Sequence, residues 1–435
     1  MNLVIDDLHI ESLVYGGNGL GYHDGKVIFV PQTAPGDRVR CRVIKSKKRY
    51  AEARLEKVLQ PSEKRCPPAC SVFGQCGGCQ WQHLPYEVQS AWKEKIFADL
   101  LHRQAGVARA RIRPLVAASE PWNYRSRAQL KLQVTGQQLV MGFYRRGSHV
   151  VVDHQQCPIL HPRLNQAARV FREALNGFRH SHRMPQLDLG IGDDGQVRAV
   201  LHYLGTEAAV VAEFLRPRVS AAGIALFLQL GRKAKPQPVC GEEELCICVG
   251  APPLTLAYGP GGFAQVNLEQ NRAMTETVID AVQQSRARRV LDLYCGMGNL
   301  SLPVARRVGE VVGVEDFAPA ITKARENAKR NGIDNTTFHH LSADGAASEL
   351  SSVSGFDLVM LDPPRSGASG VIKELQALRP RHILYVSCEP PTLVRDLQPL
   401  LQDDYCLEWS QPFDFFPQTH HIESVSLLSR KSEGG

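Results

Sequence analysis

The sequence predicts an α/β protein: a doubly wound parallel sheet in the C-terminal half, a small all-β unit at the N-terminus, and a mixed α/β segment between them. Three observations carry this. From about residue 256, short apolar runs (Arg289 to Leu293, Glu310 to Val314, Phe356 to Leu361, Ile383 to Ser387) alternate with helical patterns such as Ala318 to Asn331. Before about residue 60, short apolar runs are punctuated by Gly16-Gly17, Gly19 and Gly21, and Lys26 to Pro31 reads as a strand. Between these regions Ala128 to Val134 and Val197 to Tyr203 read as strands, while Val88, Trp92, Ile96, Leu100 and Leu101 fall at helical spacing within Pro85 to Gly106.

At 435 residues the chain exceeds one ordinary core, so two or three domains are expected. We divide it into 1–60, a central unit of 61–82 and 115–255, and a C-terminal unit of 83–114 and 256–435. No run is long and apolar enough to span a bilayer, and Met1 to Asp7 lacks the basic head of a signal peptide, so a cytoplasmic protein with no membrane partner is expected. A net charge of +7 is compatible with an anionic partner. Its distribution says more. Arg38, Arg40, Arg42, Lys45, Lys47, Lys48 and Arg49 crowd one predicted strand beside Tyr50, a basic, aromatic-bearing face that suits an RNA backbone. Arg125, Arg127, Arg145 and Arg146 add basic character to the central unit, and a loose connection is expected near Arg232 to Pro238. Nothing in the sequence speaks to oligomerisation; a monomer is the default.

Val290 to Asn299 places Gly296 and Gly298 directly after a strand and before a helix, where glycine permits a tight turn and close approach to a ligand. The third glycine of a dinucleotide fingerprint and the Gly-Lys-Ser/Thr of a phosphate loop are absent. The next strand ends at Glu315, placed to accept hydrogen bonds from both ribose hydroxyls of an adenosine. Ser342 follows the third strand and is placed to hold the adenine. Together these parts suggest an S-adenosylmethionine site on a Rossmann-like methyltransferase domain.

The fourth strand ends Asp362-Pro363-Pro364-Arg365. Methyltransferases acting on amines carry an aromatic where Arg365 stands, which argues against N-methylation. The fifth strand delivers Cys388, and Glu423 lies downstream behind His420 and His421. A thiolate adding to C6 of uracil makes C5 nucleophilic, and a base must then remove the C5 proton. Cys388 is expected as nucleophile, Glu423 as base and Asp362 as the acid that orients the uracil edge. Arg395 is expected to lower the thiol pKa or to bind a phosphate. The bland alternatives are packing for a strand-end cysteine, as expected for Cys295, and a surface or metal-binding role for Glu423 with its two histidines.

Four of the twelve cysteines, Cys66, Cys70, Cys76 and Cys79, crowd into one short segment. In a cytoplasmic chain such crowding reads as metal or cluster ligation. Spacing alone favours a local zinc site on these four. The spacing argues against a radical S-adenosylmethionine site, because Phe73 stands where its third cysteine is required.

Ser387 to Asp396, Asp414 to Glu423 and Phe263 to Asn267 closely resemble motifs of the RNA uracil-5-methyltransferase family, in its type acting on 23S rRNA, and the resemblance covers nearly the whole chain. It implies that residues 1–60 form a TRAM domain, an OB-like RNA-binding barrel. It also implies cofactor contacts at Gln265, Tyr294, Asn299, Glu315, Asp362 and, with a local departure, Ser342, and a place for Phe263 beside the substrate base. It further implies a [4Fe–4S] cluster on Cys70, Cys76, Cys79 and Cys157, reversing the zinc ranking and leaving Cys66 spare. The family usually has Asn where Glu389 stands. The expected activity is formation of 5-methyluridine in 23S rRNA. A tRNA uracil-5-methyltransferase and a non-catalytic rRNA-binding assembly factor are the competing readings.

Overall fold

The computed structural model describes residues 3–136, 138–231, 234–346, 355–402 and 404–431. The N-terminal unit is a six-stranded sheet in the order Val4–His9, Arg38–Ser46, Tyr50–Gln60, Lys26–Pro31, Asn18–His23, Ser12–Leu13. Alternate residues (Ile5, Leu8, Val39, Cys41, Val43, Ala51, Ala53) close its interior, as the two-residue strand period requires. The basic run predicted as one strand is a strand followed by a turn at Lys47–Arg49. On that strand Arg38 pairs with Asp7, Arg42 with Glu56 and Lys45 with Glu52, so the cation excess is concentrated at the turn.

The central unit is a seven-stranded sheet, including Arg127–Thr135 and Val197–Tyr203, backed by the helices Pro162–Leu175 and Ala208–Ala221. The loose connection expected near Arg232 to Pro238 is shorter. Gln237–Cys240 is an edge strand, where Pro238 needs no ladder N–H, and residues 232–233 lie outside the described residues.

The C-terminal sheet has the order Thr336–His340, Glu310–Glu315, Arg289–Leu293, Leu358–Leu361, His382–Ser387, Glu423–Arg430, Tyr405–Phe413. Its first five strands are parallel, and Glu423–Arg430 pairs antiparallel with both of its neighbours, His382–Ser387 and Tyr405–Phe413. The parallel strands read as continuous apolar runs because both faces are covered. The strand order reverses between Arg289–Leu293 and Leu358–Leu361, the position at which open α/β sheets bind ligands beyond their strand ends.

The helix Tyr86–Ala105 packs on this sheet. Its buried line is Gln89, Lys93, Ile96, Phe97 and Leu101, whereas the predicted Val88, Trp92 and Leu100 are only partly buried. Two polar residues therefore occupy the core-facing stripe. The hairpin Leu245–Val249 and Leu254–Tyr258 packs in the same core as the helix Leu268–Ser285, so the division drawn at residue 255 cuts through it.

Candidate active site

The glycine loop is built by backbone geometry. After Leu293, Tyr294 takes a left-handed φ of 69°, sparsely populated for a non-glycine residue. Gly298 has φ +91°, and a Cβ there would stand 2.8 Å from Leu302 Cγ. Glu315 Oε2 accepts from Gly296 N at 3.1 Å and Oε1 from Phe317 N at 3.0 Å. Each carboxylate oxygen keeps a lone pair for a further donor, such as a ribose hydroxyl. Burial, followed by neighbouring Asp316, raises the Glu315 pKa, while the two amides pull it down. Asn299 exchanges reciprocal amide hydrogen bonds with Asn271, both 2.9 Å. Asn271 belongs to the helix capped by the Asn267 side chain, so the loop is tied to the segment carrying Gln265. Phe263 on that segment is 69% exposed, with the Arg127 guanidinium 5.7 Å from its ring centroid.

The thiol and the candidate base meet through strand register. Ser387 pairs with Ser424 across antiparallel strands, so Cys388 and Glu423 are the next opposed positions. Glu423 is buried, and burial together with Asp362 pushes its pKa up to about 8. Burial, with Glu423 and Asp362, pushes the Cys388 thiol up to about 12. Asp362 itself is raised to about 7 by burial. Three acidic groups thus share one corner and oppose one another's ionisation. The positive charge of Arg365 counters this at both Cys388 and Glu423. Histidines 420 and 421 are held neutral: burial pushes them down to about 4 and about 3.

The loop before Glu423 is clamped from outside the sheet. Lys93 Nζ lies 2.6 Å from Asp414 Oδ1, both side chains fully buried, and also donates to Phe416 O at 3.0 Å. Gln89 Nε2 donates to Gln418 Oε1, and Gln418 N donates to Gln89 Oε1, both at 2.9 Å. Gln80 N and Trp81 N donate to Gln418 O, while Trp81 Nε1 donates to Gly17 O in the N-terminal sheet. Helix, cysteine segment and barrel therefore converge on the one loop that precedes Glu423.

Cys70, Cys76, Cys79 and Cys157 line one cavity, bounded also by Arg125, Phe143 and the turn 144–149. Burial pushes Cys79 up to about 12, with further upward pushes from Cys157, Cys76 and Cys70, and burial pushes Cys157 up to about 11. Cys66 lies off this cavity, its thiol facing Gln82 O at 3.5 Å. Among the described residues no three metal-binding side chains close on a single point.

A family model described as tRNA (Uracil-5-)-methyltransferase matches residues 93–431. The chain belongs to the uracil-5-methyltransferase family. A TRAM domain model matches residues 6–55 within the N-terminal barrel. The protein named 23S rRNA (uracil(1939)-C(5))-methyltransferase RlmD of Alkalilimnicola ehrlichii is 36% identical over 434 residues, covering 98% of this chain and 97% of that one. Its namesake in Aeromonas hydrophila is 36% identical over 97% of this chain and 96% of that one. Among solved structures, the Pyrococcus abyssi tRNA (uracil-54, C5)-methyltransferase in complex with S-adenosyl-L-homocysteine superposes with a TM-score of 0.76 at 24% identity. It covers 97% of this chain and 99% of that chain, and shows the fold.

For this uracil-5-methyltransferase family member, the residues singled out from sequence fall in two adjoining groups. Cys388, Glu423 and Asp362 share the corner at the ends of three neighbouring strands, and Tyr294, Asn299 and Glu315 surround the glycine loop. Ser342 is exposed, opening the short helical turn Ala343–Gly345. Cys295 is buried packing, as expected. The expectation that Arg395 lowers the thiol pKa is corrected: its guanidinium is turned to Asp396 Oδ1 at 2.7 Å and to Ser366 O at 2.8 Å. Arg365 is instead the cation that acts on the thiol. The reading missed Lys93 and Gln89, whose polar character on a core-facing helix stripe was the available signal, and Tyr15, for which the sequence carried none.

Proposed function

We propose that this protein methylates C5 of a uridine in 23S rRNA, the substrate printed in its relatives' names, through a covalent Cys388–C6 adduct. The observation that carries the reading is the Ser387–Ser424 register, which makes Cys388 and Glu423 the next facing positions, with Glu423 and Asp362 both acting on the thiol. S-adenosylmethionine would supply the electrophilic methyl to C5 and leave as S-adenosylhomocysteine. Gln265, Tyr294, Asn299, Glu315, Ser342 and Asp362 would hold it, and Phe263 would meet the flipped-out base.

The Cys388 thiolate adds to C6, and its charge passes to the uracil enolate. That transfer relieves the repulsion between sulfur and Glu423. Asp362 holds the uracil edge. Once C5 is alkylated the adduct is neutral. Glu423, made basic by its buried setting, takes the C5 proton, and the C6–S bond breaks to return the thiolate. Glu423 then yields its proton to solvent.

The cysteine cavity fits a [4Fe–4S] cluster on Cys70, Cys76, Cys79 and Cys157. The donors are four thiols, Cys157 buried and the other three partly buried; Cys79 is pushed up by burial and by its three neighbours, and a cationic cluster would take all four as thiolates. They line a cavity, whereas a tetrahedral zinc site with bonds of about 2.3 Å would gather its sulfurs at one point. No step of methylation needs the cluster; it would fix the segment whose Gln80 and Trp81 hold the base loop. The turn Lys47–Arg49 suits RNA phosphates.

The decisive experiment is incubation with S-adenosylmethionine and rRNA fragments containing 5-fluorouridine. Fluorine cannot leave as a proton, so wild type should form a persistent covalent complex and Cys388→Ala none. No complex with wild type, or a complex with Cys388→Ala, overturns the mechanism. Transfer to a tRNA fragment with none to 23S rRNA would overturn the substrate.

A further inference from the structure

The barrel sends one side chain into the methylation site that no role above uses. Tyr15 lies in the turn between the strands Ser12–Leu13 and Asn18–His23. Its ring stands edge-on to His420, centroids 5.6 Å apart at 83°. It packs against the core of the C-terminal sheet, not that of the barrel. Its hydroxyl is closed off from solvent and completes no hydrogen bond of full geometry. A buried phenol left in that state is costly, so the working enzyme should give it a partner. Glu389 is the acid that acts on it, with Arg365 and Cys388 its next charged or ionisable neighbours. The backbone of Glu389 is fixed: its amide donates to Ser387 Oγ at 3.2 Å and its carbonyl accepts from Thr392 Oγ1 at 2.8 Å. Its side chain is what can adjust toward the phenol.

We propose that Tyr15 is a positioning residue of the methylation site: its phenol donates to the Glu389 carboxylate and holds that charge off the Cys388 sulfur. The proposal rests on the reading of Cys388 as nucleophile. The groups acting on the thiol are Glu423, Asp362 and Arg365. Those acting on the phenol are Glu389, Arg365 and Cys388, with the neutral His420 ring packed against it. Two acids already oppose the thiolate, and Arg365 is the one cation among these groups. A third, unshielded carboxylate on the adjacent residue would oppose it further. A phenol donor disperses that charge without adding a competing cation. Because the donor belongs to the barrel, seating of the barrel and readiness of the thiol share one contact.

The test is the pH dependence of covalent adduct formation on 5-fluorouridine rRNA, with RNA affinity measured in parallel, for wild type, Tyr15→Phe, Glu389→Asn and the double variant. Tyr15→Phe should slow adduct formation about tenfold near neutral pH, the worth of one hydrogen bond to a charged group, and move the midpoint of the profile to higher pH with RNA affinity unchanged. Glu389→Asn should move the midpoint to lower pH. The double variant should match Glu389→Asn alone, because no charge remains to shield. An unmoved midpoint in Tyr15→Phe, or equal slowing by that substitution in the Glu389→Asn background, overturns the proposal. Wild type forming no adduct at any pH would instead bring down the nucleophile reading, and this proposal with it.

Discussion

Replacing Glu423 by Gln should push two steps of one reaction in opposite directions. The paired register ends at Ser387–Ser424, and extending it by one position sets Cys388 against Glu423; opposed positions of this kind have Cβ atoms about 5 Å apart. At an effective dielectric of about 20, two unit charges at that distance repel by about 3 kcal/mol, or about two pK units. Glutamine removes one of those charges, so the thiol falls from its value of about 12 and more thiolate is present. Asp362 remains, so about tenfold faster adduct formation at pH 8.5, where Glu423 is largely ionised, is the conservative expectation. The variant has no base for the C5 proton, and loss of a general base typically costs about 10²–10⁴-fold in rate. Methylated, covalently bound protein should therefore accumulate on ordinary uridine RNA, which wild type releases. Single-turnover reactions with methyl-labelled S-adenosylmethionine, resolved on denaturing gels, read both steps. Full turnover by Glu423→Gln, or slower adduct formation with normal release, would refute the argument.

Three further outcomes follow from the same geometry. Lys93→Met should destabilise the protein by about 3–5 kcal/mol, since Asp414 is left charged and buried, and a second change Asp414→Leu should recover much of the loss in urea unfolding. Glu315→Gln should raise the KM for S-adenosylmethionine at least about tenfold through weakened ribose contacts while leaving RNA affinity unchanged in filter binding; an unchanged KM removes Glu315 from the cofactor site. Cys79→Ser should lose iron and its visible absorbance on anaerobic purification, whereas Cys66→Ser, lying off the cavity, should keep both; zinc in place of iron in wild type would sink the cluster assignment.

The parallel strands were legible because their sequences are short apolar runs bounded by turn residues, and because glycines and acids stand at their ends, where a cofactor must bind. The antiparallel pair Tyr405–Phe413 and Glu423–Arg430 was not read as strands, although its second member carries Glu423. Its alternation is blurred because residues on both faces are buried. The contacts that hold the base loop were illegible for another reason. Lys93 and Asp414 are 321 positions apart, and Gln89 and Gln418 are 329 apart, so no local pattern links them. Each left only half a signal, a polar residue on an apolar helix stripe. Arg395 misled because nearness in sequence to Cys388 was taken for nearness of charge. The helix Pro390–Gln402 turns it to Asp396 and the carbonyl of Ser366.

The clamps on the base loop have a physical reason in the acids they surround. Glu423 sits at about 8 in the folded protein against an ordinary 4.5. An acid whose folded pKa is raised binds more protons when folded than when unfolded, so its effect on stability turns unfavourable as pH climbs from 4.5 towards 8, and the penalty is complete above that window. Three and a half pK units set its upper size at about 4–5 kcal/mol, comparable with the whole net stability of a small domain. Asp362 and the buried Asp292, each raised to about 7, act in the same direction. A two-stranded extension carrying Glu423 could relieve this cost locally by letting the carboxylate swing into water, which would destroy the base. Lys93, Gln89, Trp81 and Gln80 block that escape by tying the preceding loop to a helix, the cysteine segment and, through Trp81, the barrel. The strained acid is kept in place by a helix and a segment packed on the same core as its sheet, and the Trp81–Gly17 bond ties that clamp to the barrel, so on the proposed mechanism seating of the barrel bears on the basicity of Glu423 and not only on RNA binding.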